Sequence, residues 1–172
     1  MPFARPRRPR VSRTLSGLIA LCLLAGCTPG IPRSVLETVS RGVSFRDVRR
    51  EPQAYRGQTL ALGGIVMQLE AIPEGVLVAV REFPLDGGAR HRPATDQPSR
   101  GYFLLRILRA KRPDGLRAGA EITVVGDVIG TGSLPVAGGA EEVPLLVERY
   151  LRVWGPSWWP RFQIGIGGSI SL

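Results

Sequence analysis

The stretch Gly57–Val66 reads Gly-Gln-Thr-Leu-Ala-Leu-Gly-Gly-Ile-Val, and it decides the fold. A turn glycine leads into alternating apolar residues, and a second glycine falls seven residues later. Gly119–Val128 repeats this pattern at the same offsets. Alternation of period two predicts half-buried strands, and a glycine inside a strand is typical of a bulge or sharp bend. Such bends favour a barrel, which needs them to close, although two strands of any β protein can also look alike.

Five segments of the chain are rich in Val, Ile, Leu and Tyr, and each is bounded by Gly, Pro or Asp, as strands are. Two of them overlap the repeated stretches. Residues 35–51 predict one or two helical turns that stop at Pro52. The interpretation is an all-β fold, a small, partly open barrel of five or six strands with a short N-terminal helical segment, similar to the OB-fold. Residues 86–100 and the Gly-rich residues 130–142 are predicted connections. The predicted strands are Thr59–Leu69, Gly75–Glu82, Gly101–Leu108, Glu121–Ile129 and Val143–Val153.

The N-terminus has the features of a secretory signal. Five arginines and no acid precede an apolar run from Leu15 to Ala25, which is shorter than the roughly 20 residues that span a bilayer. The sequence Leu-Ala-Gly-Cys at 24–27 resembles the bacterial lipobox. We therefore expect cleavage between Gly26 and Cys27, with an S-diacylglyceryl group and an N-acyl chain such as palmitate on Cys27. An ordinary signal followed by a chance cysteine is the alternative.

The expected division is a signal peptide at 1–26, an acylated cysteine and tether at 27–34, a barrel domain at 35–154 and a Trp/Gly-rich tail at 155–172. Removing the signal takes five of the 23 basic residues and no acid, which leaves a net charge of +4. This mild charge on an exported chain argues against a nucleic-acid partner. Cys22 leaves with the signal, so the domain has no disulfide to stabilise it.

The sequence offers little for catalysis. The single histidine, His91, lies in a polar segment, and a triad with Ser99 and Asp86 or Asp96 would have no nucleophile elbow. Glu141-Glu142 is read as a solvated pair rather than a glycosidase dyad, and Gly130–Ser133 as a turn rather than a phosphate loop. We expect no enzyme activity, no metal and no cofactor.

The C-terminal tail is more informative. Three tryptophans lie within six residues, and apolar residues then alternate with small polar ones from Phe162 to Leu172. The tail could be a last strand on the barrel edge, a flexible arm, or a surface for the membrane interface or a partner's sheet edge, since tryptophan favours interfaces and an unpaired strand can augment a sheet. The candidate interface residues are Trp154, Trp158, Trp159 and Phe162.

Several motifs between Phe45 and Trp154 resemble the Slp family of outer-membrane lipoproteins. They are Phe45-x-x-Val48-x-x-x-Pro52-x-x-Tyr55-x-Gly57, Leu62-Gly63-Gly64-x-Val66, Pro84-Leu85-Asp86, Ser99-Arg100-Gly101-Tyr102-Phe103, Gly119-x-x-Ile122-Thr123-Val124-Val125-Gly126 and Leu151-x-Val153-Trp154.

This resemblance implies a non-enzymatic lipoprotein on the periplasmic face of a Gram-negative outer membrane. It also implies a starvation- or stress-related role. The lipobox, this resemblance and the lack of a catalytic grouping together favour a domain that maintains the cell envelope by binding, with an unidentified envelope protein or glycan as the expected partner. A barrel that carries a small apolar molecule or glycan is the alternative function.

Overall fold

The computed structural model describes residues 31–108, 113–136 and 139–155. Two short helices come first, and a 3-10 helix (Pro52–Tyr55) leads into a sheet of five strands. The all-β prediction with a short N-terminal helical segment is confirmed. The elements are α1 (Arg33–Leu36), α2 (Phe45–Arg50), β1 (Thr59–Ile72), β2 (Gly75–Phe83), β3 (Gly101–Ile107), β4 (Glu121–Val136) and β5 (Gly139–Val153).

The sheet closes into a barrel in the order β1-β2-β3-β5-β4. Neighbouring strands are antiparallel except β3 and β5, which run parallel and pair over three positions, Leu104–Arg106 against Leu145–Val147. This order, with a five-stranded ring closed by one short parallel contact, is that of an OB-like barrel. The predicted fold class is therefore confirmed.

The repeated glycine pattern corresponds to equivalent backbone features in β1 and β4. Gly57 and Gly119 have φ angles of +82° and +81°, which side chains other than glycine rarely tolerate. Gly64 and Gly126 lie inside the strands, where a Cβ atom would approach the carbonyl oxygens of neighbouring strands to 2.6 Å and 2.7 Å. The register of β4 against β5 also shifts next to Gly126. These glycines allow the strands to pack closely and bend, as the pattern predicts.

Alternate residues of all five strands fill the barrel interior, where each core residue is at most 9% exposed. Helix α2 closes one region of this core because Phe45 and Val48, three residues apart, both point inward. The Phe45 ring packs edge-on against Phe103 of β3, with 6.1 Å between centroids. A capping box between Ser44 and Asp47 begins the helix. The interior is consequently filled by the chain's own side chains.

The β4–β5 hairpin is longer than expected. The prediction of a Gly-rich connection over 130–142, with a turn at Gly130–Ser133, was wrong because β4 continues to Val136 and β5 begins at Gly139. The extension carries Leu134 and Val143 onto the outer face of β2 and β3. A second core forms there, and burial of its apolar side chains stabilises the extended strands. The second core contains Leu77, Ala79, Leu104, Leu134, Val143 and Leu145.

Candidate functional site

Most residues predicted as sites lie outside the described part of the chain. These are Gly26, Cys27, Trp158, Trp159 and Phe162. The alternation predicted from Phe162 to Leu172 also lies outside it. Among the described residues, no helix has the length and apolarity needed to cross a membrane.

Trp154 is described, and it lies half-buried immediately after β5. Its backbone N–H donates to the carbonyl of Glu121 at 2.9 Å, and its indole Nε1 donates to the hydroxyl of Thr123, also at 2.9 Å. The guanidinium carbons of Arg152 and Arg92 lie 4.5 Å and 5.6 Å from the ring centroid, within range of cation–π attraction. The indole N–H is thus used within the domain, and the rest of the ring remains a candidate contact surface.

The loop between β2 and β3 is fixed to the start of β4. Arg92 pairs with Glu121, with Nε and Oε2 2.7 Å apart, and the Thr123 hydroxyl donates to the carbonyl of His91 at 2.7 Å. His91 has a φ of 51°, uncommon for a residue other than glycine, and its Nδ1 has no hydrogen-bond partner among the described residues.

The residues considered for catalysis are not assembled into a reactive group. Within the described ranges, no hydrogen bond joins His91 to Ser99 or to either aspartate. Asp86 accepts from the backbone N–H of Arg92 at 2.9 Å, and the Ser99 hydroxyl lies 3.3 Å from the Gly101 carbonyl. Glu141, considered with Glu142 as a glycosidase dyad, forms an ion pair with Arg49. The described residues also contain no group of three or more potential metal ligands from His, Cys, Asp and Glu.

A cavity of about 920 Å³ lies between α2, the end of β2 and the start of β3. We name it the arginine pocket because five of its eleven lining residues are arginines and none is acidic. It is lined by Arg46, Arg49, Arg50, Arg81, Pro84, Gln97, Pro98, Ser99, Arg100, Gly101 and Tyr102.

Helix α2 supplies three of these arginines. Phe45 and Val48 direct one side of the helix into the core, and the remaining positions then present Arg46, Arg49 and Arg50 to the pocket. Residues three and four apart share a helix face, so these cations are neighbours and repel one another. Arg49 and Arg50 lie in the last turn, where the helix dipole favours positive charge.

Two arginines of the pocket are held by carboxylates. The side chain of Glu82 is completely buried and pairs through both oxygens with Arg100, which is 28% exposed; Nε and Oε2 lie 3.0 Å apart. Arg49 donates to the Arg100 carbonyl at 2.8 Å and pairs with Glu141 at 3.1 Å. This chain of contacts fixes both guanidinium groups.

The other arginines are less constrained. Arg46 and Arg81 make no ion pair within the described residues, although Arg81 lies 5.6 Å from the ring centroid of Phe83. Hydrogen bonds from Ser44, and after them the charge of Arg50, lower the pKa of the Asp47 carboxyl. Sequence reasoning missed this pocket because an arginine-rich composition hid the local signal. The spacing of Arg46, Arg49 and Arg50 on one predicted helix could have indicated it.

The fold and this site define an OB-like β-barrel domain with a basic, solvent-open pocket at the junction of α2, β2 and β3. The full sequence matches the Slp family of outer-membrane lipoproteins over residues 24–161. That match covers most of the chain and begins at Leu24, the first residue of the Leu-Ala-Gly-Cys motif. The chain belongs to the Slp family, and the resemblance stated from its motifs is confirmed.

Other comparisons are more distant. No curated protein sequence matches the chain. A crystal structure of the mitochondrial single-stranded DNA binding protein Rim1 from S. cerevisiae is similar over 56% of this chain and 94% of Rim1, with 11% identity and a TM-score of 0.37. Its selenomethionine-labelled form covers the same shares, with 10% identity and a TM-score of 0.34.

Proposed function

We propose that this protein is a non-enzymatic lipoprotein, anchored by acyl chains on Cys27 to the outer membrane and facing the periplasm of a Gram-negative bacterium. The observation that carries the proposal is the lipobox Leu-Ala-Gly-Cys at 24–27, which lies within the residues matched to the outer-membrane lipoprotein family. Two or three acyl chains on one cysteine make release from the membrane negligible, whereas one chain holds only marginally.

We assign the domain a binding role in maintaining the cell envelope under starvation or stress, with an envelope protein or glycan as its partner. Two observations favour binding over catalysis: the family, and the absence of a hydrogen bond joining His91 to Ser99 or Asp86 in the described part of the chain. The alternative of a barrel carrying an apolar molecule inside lacks support, because the described interior is packed with Leu, Val, Ile and Phe side chains.

The test is a Cys27→Ala variant of the full chain expressed in a Gram-negative host. We expect wild-type protein in the outer-membrane fraction, with an intact mass that shows loss of residues 1–26 and three added acyl chains. The Cys27→Ala variant is expected to keep its leader and lose that modification. Cys22→Ala, a matched control within the signal core, is expected to behave as wild type.

The same cells provide two further readouts. A periplasmic orientation predicts that protease added outside intact cells spares the domain and that permeabilised cells lose it. Cross-linking of the wild type followed by mass spectrometry identifies the neighbours. An unmodified Cys27 in the native product contradicts the anchoring, and digestion in intact cells contradicts the orientation.

A further inference from the structure

The arginine pocket has an excess of positive charge that the protein does not neutralise. Five guanidinium groups line it, and the carboxylates that pair with them are Glu82 on Arg100 and Glu141 on Arg49. Arg46 and Arg81 have no such partner among the described residues. Arg50 also makes no ion pair there, although its charge acts on the nearby carboxyl of Asp47. A bound anion would neutralise this excess and relieve the repulsion among the α2 arginines.

The geometry also provides preorganised donors. Glu82 binds Arg100 through Nε and one terminal nitrogen, and Arg49 is fixed by the Arg100 carbonyl and Glu141. Gly101 permits this arrangement, since a Cβ there would lie 2.8 Å from the Nε of Arg49. A ligand entering the pocket therefore meets two held guanidinium groups, and it also meets Arg46 from α2 and Arg81 from β2, which make no ion pair among the described residues.

We propose that the arginine pocket binds a ligand that carries two or more phosphate groups. Guanidinium matches phosphate oxygens with paired hydrogen bonds. A ligand with two phosphate groups brings at least two negative charges to Arg46 and Arg81, which have no ion pair among the described residues. A volume of about 920 Å³ lies within the range of small-molecule sites and exceeds the needs of a single phosphate. The phosphates can belong to a soluble molecule or to a lipid headgroup. This inference does not depend on lipidation of Cys27.

Isothermal titration calorimetry on the lipidated protein, purified in a non-ionic detergent, tests the proposal with three probes. These are inorganic pyrophosphate, inorganic orthophosphate and cardiolipin, whose headgroup carries two phosphates, mixed into the detergent micelles. We expect saturable one-to-one binding of pyrophosphate, about tenfold tighter than that of orthophosphate, which corresponds to about 1.4 kcal/mol. Binding of cardiolipin without pyrophosphate would support the proposal and identify a lipid headgroup as the source.

Variants distinguish a site from general charge attraction. Arg46→Gln/Arg81→Gln removes two arginines without an ion pair, and we expect it to weaken pyrophosphate or cardiolipin binding by about tenfold or more. Arg41→Gln/Arg117→Gln removes two exposed arginines that do not line the pocket, and it is expected to change the affinity by less than about twofold. Arg50→Gln is a second pocket variant, expected to weaken binding by a smaller factor.

Each remaining outcome counts against the proposal. These are no binding of pyrophosphate or cardiolipin at millimolar concentration, equal weakening by the pocket and control pairs, or equal affinity for pyrophosphate and orthophosphate. Thermal unfolding of every variant verifies that the domain is intact, which we expect because Arg46 and Arg81 are exposed. If phosphate binding is absent while Cys27 is correctly lipidated, only the proposed ligand is refuted. If binding is intact while Cys27 is unmodified, only the proposed membrane anchor is refuted.

Discussion

Replacing Arg100 with alanine is expected to destabilise the domain strongly, because the Glu82 carboxylate would then be buried without a partner. The Glu82 side chain is 0% exposed, and Arg100 is the cation that pairs with it. Main-chain contacts of Arg100 survive the change, since its carbonyl still accepts from Arg49. The substitution therefore removes one specific interaction from a buried charge.

Removing one partner of a buried ion pair costs about 3–5 kcal/mol, a large share of the 5–15 kcal/mol typical of a whole domain. For a barrel of this size we expect the melting temperature to fall by about 10 °C or more. Glu82→Gln is expected to cost less, about 1–2 kcal/mol, because Arg100 is 28% exposed and can be hydrated. The double variant Glu82→Leu/Arg100→Ala is expected to be more stable than Arg100→Ala alone.

The assay is urea unfolding of the purified protein followed by tryptophan fluorescence, with thermal unfolding as a second measurement. Arg117→Ala, which removes an exposed arginine of the β3–β4 connection, is the control and should shift stability by no more than about 0.5 kcal/mol. A loss below about 1 kcal/mol for Arg100→Ala, or a double variant no more stable than Arg100→Ala, would refute the reasoning that Glu82 is a buried charge held by this arginine.

Two other predictions concern α2 and the β4–β5 hairpin. Ser44→Ala removes the helix cap and is expected to cost about 1 kcal/mol at neutral pH, with Ser34→Ala as the control. Hydrogen bonds from the Ser44 side chain and backbone lower the pKa of Asp47 below its ordinary 3.8. Their stabilisation is thus present above that value and lost as pH falls through the lowered pKa. Urea midpoints at neutral and acid pH should show the wild-type advantage shrinking in acid, and a constant difference would contradict the linkage. Leu134 is 1% exposed in the second core. Leu134→Ala opens a void there and should lower the free energy of unfolding by about 2–5 kcal/mol. In the Leu134→Ala variant, amide hydrogen exchange should accelerate over residues 129–147, whereas the control Ser133→Ala should leave it unchanged. Unchanged protection in Leu134→Ala would show that packing of Leu134 does not stabilise the extended hairpin.

Local features of this chain are readable from the sequence. Segments rich in Val, Ile, Leu and Tyr and bounded by Gly, Pro or Asp predicted the central part of each strand, and several of them also showed the period-two alternation of a half-buried strand. The glycines of the two repeated stretches indicated bent strands, and residues 35–51 indicated helical turns that stop at Pro52; α2 ends at Arg50. The motifs also indicated the Slp family. Each of these signals rests on neighbours in sequence, so no long-range contact was needed to recognise it.

The tertiary structure decided features that depend on distant partners. Residues 130–142 read as a loop because glycine and proline weaken strand propensity, yet Leu134 and Val143 gain an apolar surface on β2 and β3 that stabilises the extended strands. Glu82 looks solvent-facing until Arg100, eighteen residues later, pairs with it inside the fold. The arginine pocket likewise exists only because α2 docks beside the ends of β2 and β3. Burial and charge pairing act between residues that are near in space, and chain order alone does not specify which residues those are.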